Sequence, residues 1–413
     1  MSVDCDVLVL GGGLSGLVTA FRLQRAGRDV CLVEGTSRTG GVIGSREHEG
    51  ALFETGPNST LDSTQLLGGL IDELGIGNQR IEADARAKRR FIVRNGGLVA
   101  LPNSPRALLT SRALPVSAKL RLLREPFIAA MPADLDESVA SFIERRLGSI
   151  VLDYVVEPFV AGIYAGDPDT LSMRAAFPRL YALEQNHGSL IKGAIKRRSE
   201  KPRGGEGAKP AGASFSFARG MQTLTDALAQ QLSRVCRNTR ALAIERLPDG
   251  AFRVLTSSDG PEASVRARNV VISTPAFAAA SLVGGVAPDA ADVLASIDYP
   301  ALASVASVYE RRHVAHALDG FGFLVPRLER RQILGSLFSS SMFPGRSRED
   351  ETLITTFVGG VRDPSVAALD DDDLAAIVSR ELAALLGAAH PRWQHVTRWP
   401  HAIPQYTIGH LER

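Results

Sequence analysis

The run Val7-Leu8-Val9-Leu10-Gly11-Gly12-Gly13-Leu14-Ser15-Gly16 joins an apolar stretch to glycines at the spacing that brings main chain against a phosphate. Gly11 permits a tight turn, Gly13 lets the backbone reach a pyrophosphate, and Gly16 lets a helix lie close to the preceding strand, so that the helix N-terminus faces the anion. A carboxylate stands at Glu34, about twenty residues on, where a ribose needs a hydrogen-bond acceptor. After it, Gly35-Thr36-Ser37-Arg38-Thr39-Gly40-Gly41-Val42 offers a second glycine pair for close approach and a guanidinium that can meet phosphate. The chemistry is that of holding a dinucleotide.

These residues need a strand, a tight turn and a helix to position them, and the pattern supplies all three. Val7 to Leu10 reads as strand, Leu17 to Arg25 has helical spacing, and Asp29-Val30-Cys31-Leu32-Val33 is a second strand that delivers Glu34. Residues 63–74 are helical in pattern and end at Gly75. Residues 86–102 read as a hairpin turning at Asn95-Gly96, with arginines crowded at its entrance. Residues 106–147 are helical in pattern, with Arg112, Lys119, Arg121 and Arg124 interleaved with leucines and an apolar tip at 126–132. Such a segment packs onto its own protein or lies on a bilayer surface. Residues 196–212, rich in Lys, Arg, Gly and Pro, are expected to be a mobile loop or linker. A helix follows over 222–232, then short strands near 241–244, 252–255 and 270–275. Beyond Tyr299-Pro300 an alternating pattern gives strands at 322–326, 335–344 and 355–360, as in a sheet open on one face. A helix with an acidic first turn is expected over 371–386.

Composition excludes several classes. A chain of 413 residues, 45% hydrophobic and 22% charged, is globular and large enough for two or three domains. A net charge of +2 and a basic stretch without interleaved aromatics give no reason to expect nucleic acid. The three cysteines, Cys5, Cys31 and Cys236, lack metal spacing and are read as reduced and structural. No Ser-His-Asp order, H-E-x-x-H or Cys/His metal spacing occurs, and the eight scattered histidines read as structural. The first strand begins so near Met1 that no signal or transit peptide is expected, which places the chain in the cytoplasm. No apolar run of about eighteen residues suits a membrane span.

The arrangement E-x3-R-x-G-G from Glu34, followed by Gly56-Pro57-Asn58-Ser59, resembles the FAD-binding start of the amine oxidase, phytoene desaturase and protoporphyrinogen oxidase superfamily. The resemblance implies FAD, with the Gly56-Pro57 turn beside the flavin ring and the backbone near Ala241 against the adenine. A narrower resemblance is to the protoporphyrinogen oxidase family. It rests on K-R-R-F-I-V-R-N-G with L-P-N-S-P, on P-F-x-x-G-x-x-x-G-D-P-x-x-L-S from Pro158, and on W-x-x-A-I-P-Q-Y-x-x-G-H from Trp399. It implies that Arg90 meets a substrate propionate, which a guanidinium can bind with two parallel hydrogen bonds. It also implies that Gly162 brings main chain against a porphyrinogen, and that Leu324, Leu337 and Phe357 sandwich the tetrapyrrole. Relatives continue past the position of Arg413 with a glycine-rich strand and helix, so the expectation is either that the sequence is a shortened one or that its FAD site lacks one wall.

The fold class is therefore α/β and α+β: a Rossmann-like FAD-binding domain, an antiparallel-sheet substrate domain and a helical, membrane-facing domain. Residues 1–85 and 214–298 are assigned to the first, 86–104, 176–213 and 299–396 to the second, and 105–175 to the third. Residues 397–413 are read as the start of a C-terminal FAD segment. The implied function is FAD-dependent oxidation of protoporphyrinogen IX to protoporphyrin IX by molecular oxygen, in haem or porphyrin biosynthesis. No acid or base is assigned. Coproporphyrinogen III, with four propionates, is the alternative substrate that Arg86, Lys88, Arg89 and Arg94 keep open. A non-catalytic tetrapyrrole-binding relative is the alternative from another class. Peripheral contact at the inner face of the cell membrane and a homodimer complete the expectations.

Overall fold

The computed structural model describes residues 4–62, 64–102, 115–132, 135–200, 214–257 and 263–413, with the side chains of 86, 197–200, 367 and 368 outside that description. They form two compact units, 1–83 with 211–297 and 84–210 with 298–413. The helices expected as a third domain fall within the second unit.

In the first unit a six-stranded sheet runs in the order Val235–Cys236, Val30–Val33, Cys5–Leu10, Ala263–Ile272, Phe252–Ser257, Arg240–Arg246. The first four strands are parallel and the last three make an antiparallel meander. Parallel strands are covered on both faces, which is why Val7 to Leu10 are apolar without alternation. One face is covered by the helix Leu14–Arg25, whose Leu17, Ala20 and Phe21 recur at helical spacing and pack with Val7, Val9, Leu224 and Leu228. Leu8, Leu10, Val33, Val254 and Leu282 form the core of the other face. Burial pushes the Cys5 thiol up to about 11 and, with Cys236 beside it, the Cys31 thiol up to about 12. Both are therefore protonated and inert, whereas Cys236 is exposed.

In the second unit a seven-stranded sheet runs Trp393–Trp399, Leu302–Glu310, Glu351–Gly359, Gly335–Leu337, Gly322–Leu324, Arg90–Arg94, Gly97–Ala100. All neighbours are antiparallel except Gly322–Leu324 with Arg90–Arg94. The hairpin turns at Asn95 and Gly96, both at positive φ. The helix Asp371–Leu386 starts at an Asp370 side chain that accepts from the Asp373 N–H at 2.8 Å and ends at Gly387. Its Leu374, Val378 and Leu382 pack on Val305, Ile354 and Val358, closing one face of the sheet.

Three expectations need correction. Residues 196–200 belong to the helix Leu190–Glu200, whose first turn is capped by the Ser189 hydroxyl on the Lys192 N–H at 3.1 Å; residues 201–212 lie outside the described ones. The strand expected over 335–344 ends at Leu337, because Ser339–Met342 turns helical and its Ser339 and Ser340 hydroxyls bond Thr355 and Thr352. Residues 397–413 lie in the second unit, where Gln405 Nε2 donates to the Tyr164 carbonyl at 2.8 Å and the Gly409 N–H to Asp136 at 2.8 Å. Residues 103–114, which hold the end of L-P-N-S-P and the start of the segment expected as helical over 106–147, lie outside the described residues.

The helices of the second unit gather round Arg146, which is fully buried. Its guanidinium donates to Glu184 at 2.6 Å and Glu125 at 3.2 Å, and the Ile128 carbonyl accepts at 3.0 Å. Glu125 in turn accepts from the Leu190 and Ile191 N–H groups at 2.8 and 3.1 Å. Burial would raise the Glu184 carboxyl, but hydrogen bonds from Arg145 and Arg146 outweigh it and hold the group below the usual carboxylate range. A depressed folded value stabilises above the unfolded value of about 4.3 and is lost as pH falls below it. Arg146→Met takes from buried Glu125 its cationic partner and leaves Glu184 with Arg145 alone among the described residues, and is expected to cost about 3–5 kcal/mol of unfolding free energy in urea melts at neutral pH. Glu184→Gln is expected to flatten the acid limb of the stability curve; an unchanged limb would locate the acid sensitivity elsewhere.

Candidate functional site

The nucleotide cradle lies wholly in the first unit. Gly11 has φ +103°, and a Cβ on Gly16 would stand 2.0 Å from the Gly11 carbonyl oxygen, so helix and strand meet at a distance only glycine allows. Gly13 has nothing within 4 Å on its open side, and no side chain caps the helix that it begins. Leu14 is half-buried there and Ser15 exposed. The second glycine pair is tied to this turn by the Gly40 N–H donating to the Gly12 carbonyl at 2.8 Å. Gly41 packs against Gly13, and the exposed Gly35 lies near Arg240.

Glu34 sits where a ribose acceptor is needed. Its Oε2 accepts from the Gly12 N–H at 2.8 Å and retains acceptor capacity, while Oε1 accepts from the N–H and hydroxyl of Thr36, both at 2.8 Å. Arg38 turns its guanidinium inward, to the carbonyls of Ile43 and Gly41 at 2.7 Å each and of Thr39 at 3.3 Å. It shapes the loop more than it offers a free cation to phosphate. Val42 is 49% exposed beside it. A Cβ on Gly56 would stand 1.9 Å from the Val42 carbonyl, so Gly56-Pro57-Asn58-Ser59 is pressed against the second glycine loop. Ala241 precedes a shift of register between 241 and 243 that leaves Leu242 39% exposed.

These residues fit FAD. The open face of Gly13 and the uncapped helix start suit a pyrophosphate, and Thr274 Oγ1 is buried without a partner among the described residues while its methyl lies against Gly11. Thr274 was not singled out from the sequence; the break from apolar strand to Ser273-Thr274-Pro275 was its signal. A cavity of 490 Å³ elsewhere in this unit, lined by Ser45, Arg219, Gln222 and Asp226 among others, contains none of the expected cofactor residues.

The expected substrate residues all lie in the second unit, and the ladder puts four of them on one face of its sheet. Arg90, Gly322, Leu337 and Thr355 form one cross-strand row, and Ile92, Leu324, Gly335 and Phe357 the row two residues along. Cross-strand partners point the same way, so Arg90, Leu324, Leu337 and Phe357 share a face opposite to that under the helix Asp371–Leu386. Between them Gly322 and Gly335, at φ +146° and +158°, leave bare main chain. Leu324 and Phe357 flank Gly335 about 10 Å apart, two strand spacings. From the helix Glu157–Tyr164, Gly162 closes on this face: a Cβ there would stand 2.4 Å from Leu324 Cδ2.

The cations of the hairpin sort themselves. Arg89 pairs with Asp319, and Arg94 lies over the Tyr154 ring at 4.5 Å. Arg90 is exposed, lies over the Phe321 ring at 5.4 Å, and has no carboxylate partner among the described residues. Gly322, Gly335, Phe321 and Asp319 escaped the sequence reading because their importance comes from cross-strand register.

The family model for flavin containing amine oxidoreductases matches residues 14–413. The mitochondrial protoporphyrinogen oxidase of Nicotiana tabacum is 34% identical, over 98% of this chain and 85% of the relative. The coproporphyrinogen III oxidase of Bacillus subtilis (strain 168) is 28% identical, over 98% of this chain and 88% of the relative. Among solved structures, one from Exiguobacterium sp. 255-15, provisionally named protoporphyrinogen oxidase, superposes with a TM-score of 0.83 at 24% identity, covering 100% of this chain and 90% of that one. Putrescine oxidase bound to putrescine gives 0.71 at 18% identity, covering 99% and 89%. These two structures establish the fold.

Two glycine substitutions separate folding from cofactor contact. Gly16→Ala is expected to lower unfolding free energy by about 3 kcal/mol and abolish flavin retention, because its methyl collides with main chain. Gly13→Ala is expected to leave the melting temperature of the flavin-stripped protein unchanged while weakening flavin binding, read from flavin absorbance per protein. Equal melting losses in both would contradict the open face at Gly13.

Proposed function

Because the chain belongs to the flavin containing amine oxidoreductase family, in its protoporphyrinogen oxidase branch, we propose that this FAD-dependent oxidoreductase converts protoporphyrinogen IX to protoporphyrin IX, with oxygen as electron acceptor. The observation that carries the reading is the face shared by Arg90, Leu324, Leu337 and Phe357, with bare backbone at Gly322 and Gly335 between them.

A porphyrinogen is a reduced, flexible macrocycle, apolar across its faces and anionic at its propionates. The leucines and the phenylalanine cover its faces and exclude water, while Gly162 and the two sheet glycines let main chain approach. Arg90 holds a propionate by charge-assisted hydrogen bonds and so fixes the rotation of the ring. Bound FAD supplies a hydride acceptor at N5 and a route for the electrons to oxygen. Leu324, Leu337 and Phe357 carry no acid or base and Arg90 stays cationic, so what these four contribute is orientation and exclusion of water.

A second substrate has an observation in its favour. Arg90 and Arg94 alternate onto the same face of one strand, about 13 Å apart, so propionates at opposite edges of a coproporphyrinogen can each meet a guanidinium. The exposed Val116, Leu120, Leu123 and Phe127, beside Lys119, Arg121 and Arg124, support peripheral contact with an anionic membrane, proposed to be the inner face of the cell membrane.

Air oxidation of each porphyrinogen, followed by growth of the porphyrin Soret band, tests the reading. Protoporphyrinogen IX is expected to be turned over above the no-enzyme rate with the higher kcat/KM; a rate at background would sink the proposal. Arg90→Ala is expected to raise KM roughly tenfold to a hundredfold with little change in kcat. Leu120→Glu with Leu123→Glu is expected to abolish co-sedimentation with anionic vesicles while leaving activity in detergent intact.

A further inference from the structure

The Gly56-Pro57-Asn58-Ser59 stretch runs into a strand of only two residues, Thr60–Leu61. Among the described residues that strand is an edge, paired through Thr60 with Phe215 and Leu61 with Ser214 in a three-stranded sheet completed by Arg80–Glu82. So short a ladder sets its register weakly, and a slip of one residue would turn every side chain on it to the opposite face. Something else must hold it.

Two contacts bracket the strand. At one end the Ser214 hydroxyl bonds the Ser59 hydroxyl at 2.9 Å. At the other, Arg80 reaches from the far strand across Phe215, its guanidinium 4.1 Å from the ring centroid, and pairs through Nη1 with Asp62 at 2.9 Å. The side chains of Arg80 and Asp62 are 16% and 9% exposed, whereas that of Glu82, which takes the other nitrogen at 3.2 Å, is 64% exposed. The inner pair is therefore the strong one and the outer pair is worth little. The aromatic face beneath adds a cation–π attraction that fixes the height of the guanidinium over the sheet.

We infer that Arg80 is a positioning residue of the flavin site: through Asp62, across the Phe215 ring, it fixes the register of residues 56–62 against the second glycine loop. The consequence reaches the cofactor because Gly56 is pressed on the Val42 carbonyl and the Thr55 N–H donates to the Gly44 carbonyl at 2.8 Å. With the upstream end so fixed, any slack at the downstream end appears as displacement of Asn58 and Ser59. The inference rests on the reading of this unit as the FAD site.

The test is FAD retention by the purified holoenzyme on serial dilution, followed by fluorescence of released flavin, beside the visible circular dichroism of bound flavin. Arg80→Met keeps the apolar cover over Phe215 and removes the charge; Asp62→Asn removes the other partner. Each is expected to weaken FAD binding about tenfold and alter the dichroism of the flavin band, with the double variant no weaker than either single one, as for one shared contact. Arg80→Lys, which can still make the single-pronged pair, is expected to recover most of the affinity, and Glu82→Gln to stay within twofold of the parent. Parental affinity in Arg80→Met and Asp62→Asn, losses that multiply in the double variant, or a lowered melting temperature with FAD binding unchanged would each overturn the inference. Should Arg80→Met fail to fold, Asp62→Asn and Arg80→Lys decide it alone. A parent that retains no FAD would overturn the cofactor reading together with the inference, whereas variants that match an FAD-binding parent overturn only the inference.

Discussion

The first unit is organised by one steric constraint, the passage of the Gly16 backbone against the Gly11 carbonyl, where a Cβ would stand at 2.0 Å. A helix can lie that close to the preceding strand only without a side chain, and closeness aims its N–H groups at the space in front of Gly13. Other parts take their positions from the same turn. The Gly12 N–H holds Glu34, the Gly12 carbonyl holds Gly40, and Gly41 lies on Gly13. The ribose acceptor and both glycine loops are thus referred to one point of main chain. Widening the turn by a methyl group would displace all of them together, which no local repacking could restore.

The second unit uses the same device on a sheet. Gly322 and Gly335 sit where a Cβ would strike Ser336 and Phe323 carbonyls at 2.1 and 2.4 Å, so they pair closely and leave backbone bare between Arg90, Leu324, Leu337 and Phe357. What remains is an apolar surface with a cation at its margin. The cation is selected by pairing: Asp319 takes Arg89, so Arg90, lying over Phe321, keeps its hydrogen-bond donors for a ligand. Charge crowding at the hairpin entrance, a solvated run when read along the chain, is sorted by the fold, which pairs Arg89 with Asp319 and sets Arg90 at the edge of the apolar face.

What could be read in advance follows from the range of each interaction. The βαβ start, the Asn95-Gly96 turn and the helix over 371–386 depend on neighbours within a few residues, so periodicity and capping revealed them. The face shared by Arg90 and Phe357 depends on register between strands more than two hundred residues apart, and only resemblance to a family suggested it. The inward turn of Arg38 was hidden because its acceptors are main-chain carbonyls, which every sequence has. Residues 196–200 looked like a charged loop since their composition outweighed a weak helical pattern, yet Ser189 starts a helix that carries through them. The strand expected to reach 344 ends early because serine hydroxyls find threonine partners across the ladder, a tertiary choice that outweighs β propensity. Residues 397–413 follow their own hydrogen bonds into the second unit.

The two sites are built from different materials, and this bears on how the family varies. The cofactor cradle is mostly main chain: glycine turns, a helix start and carbonyls held by Arg38, with Glu34 as its principal functional side chain. Main-chain geometry tolerates wide substitution as long as the crowded glycines stay, and putrescine oxidase shares the fold at 18% identity with a TM-score of 0.71. The sheet face proposed for the macrocycle is made of side chains, and there a change of residue leaves the ladder hydrogen bonds intact. Replacing a leucine or the arginine on this surface alters what it can hold without touching what keeps the sheet together. Substrate range is thereby free to drift on a scaffold whose cofactor chemistry is fixed by steric closeness, and specificity must be sought in the few side chains projecting between Gly322 and Gly335.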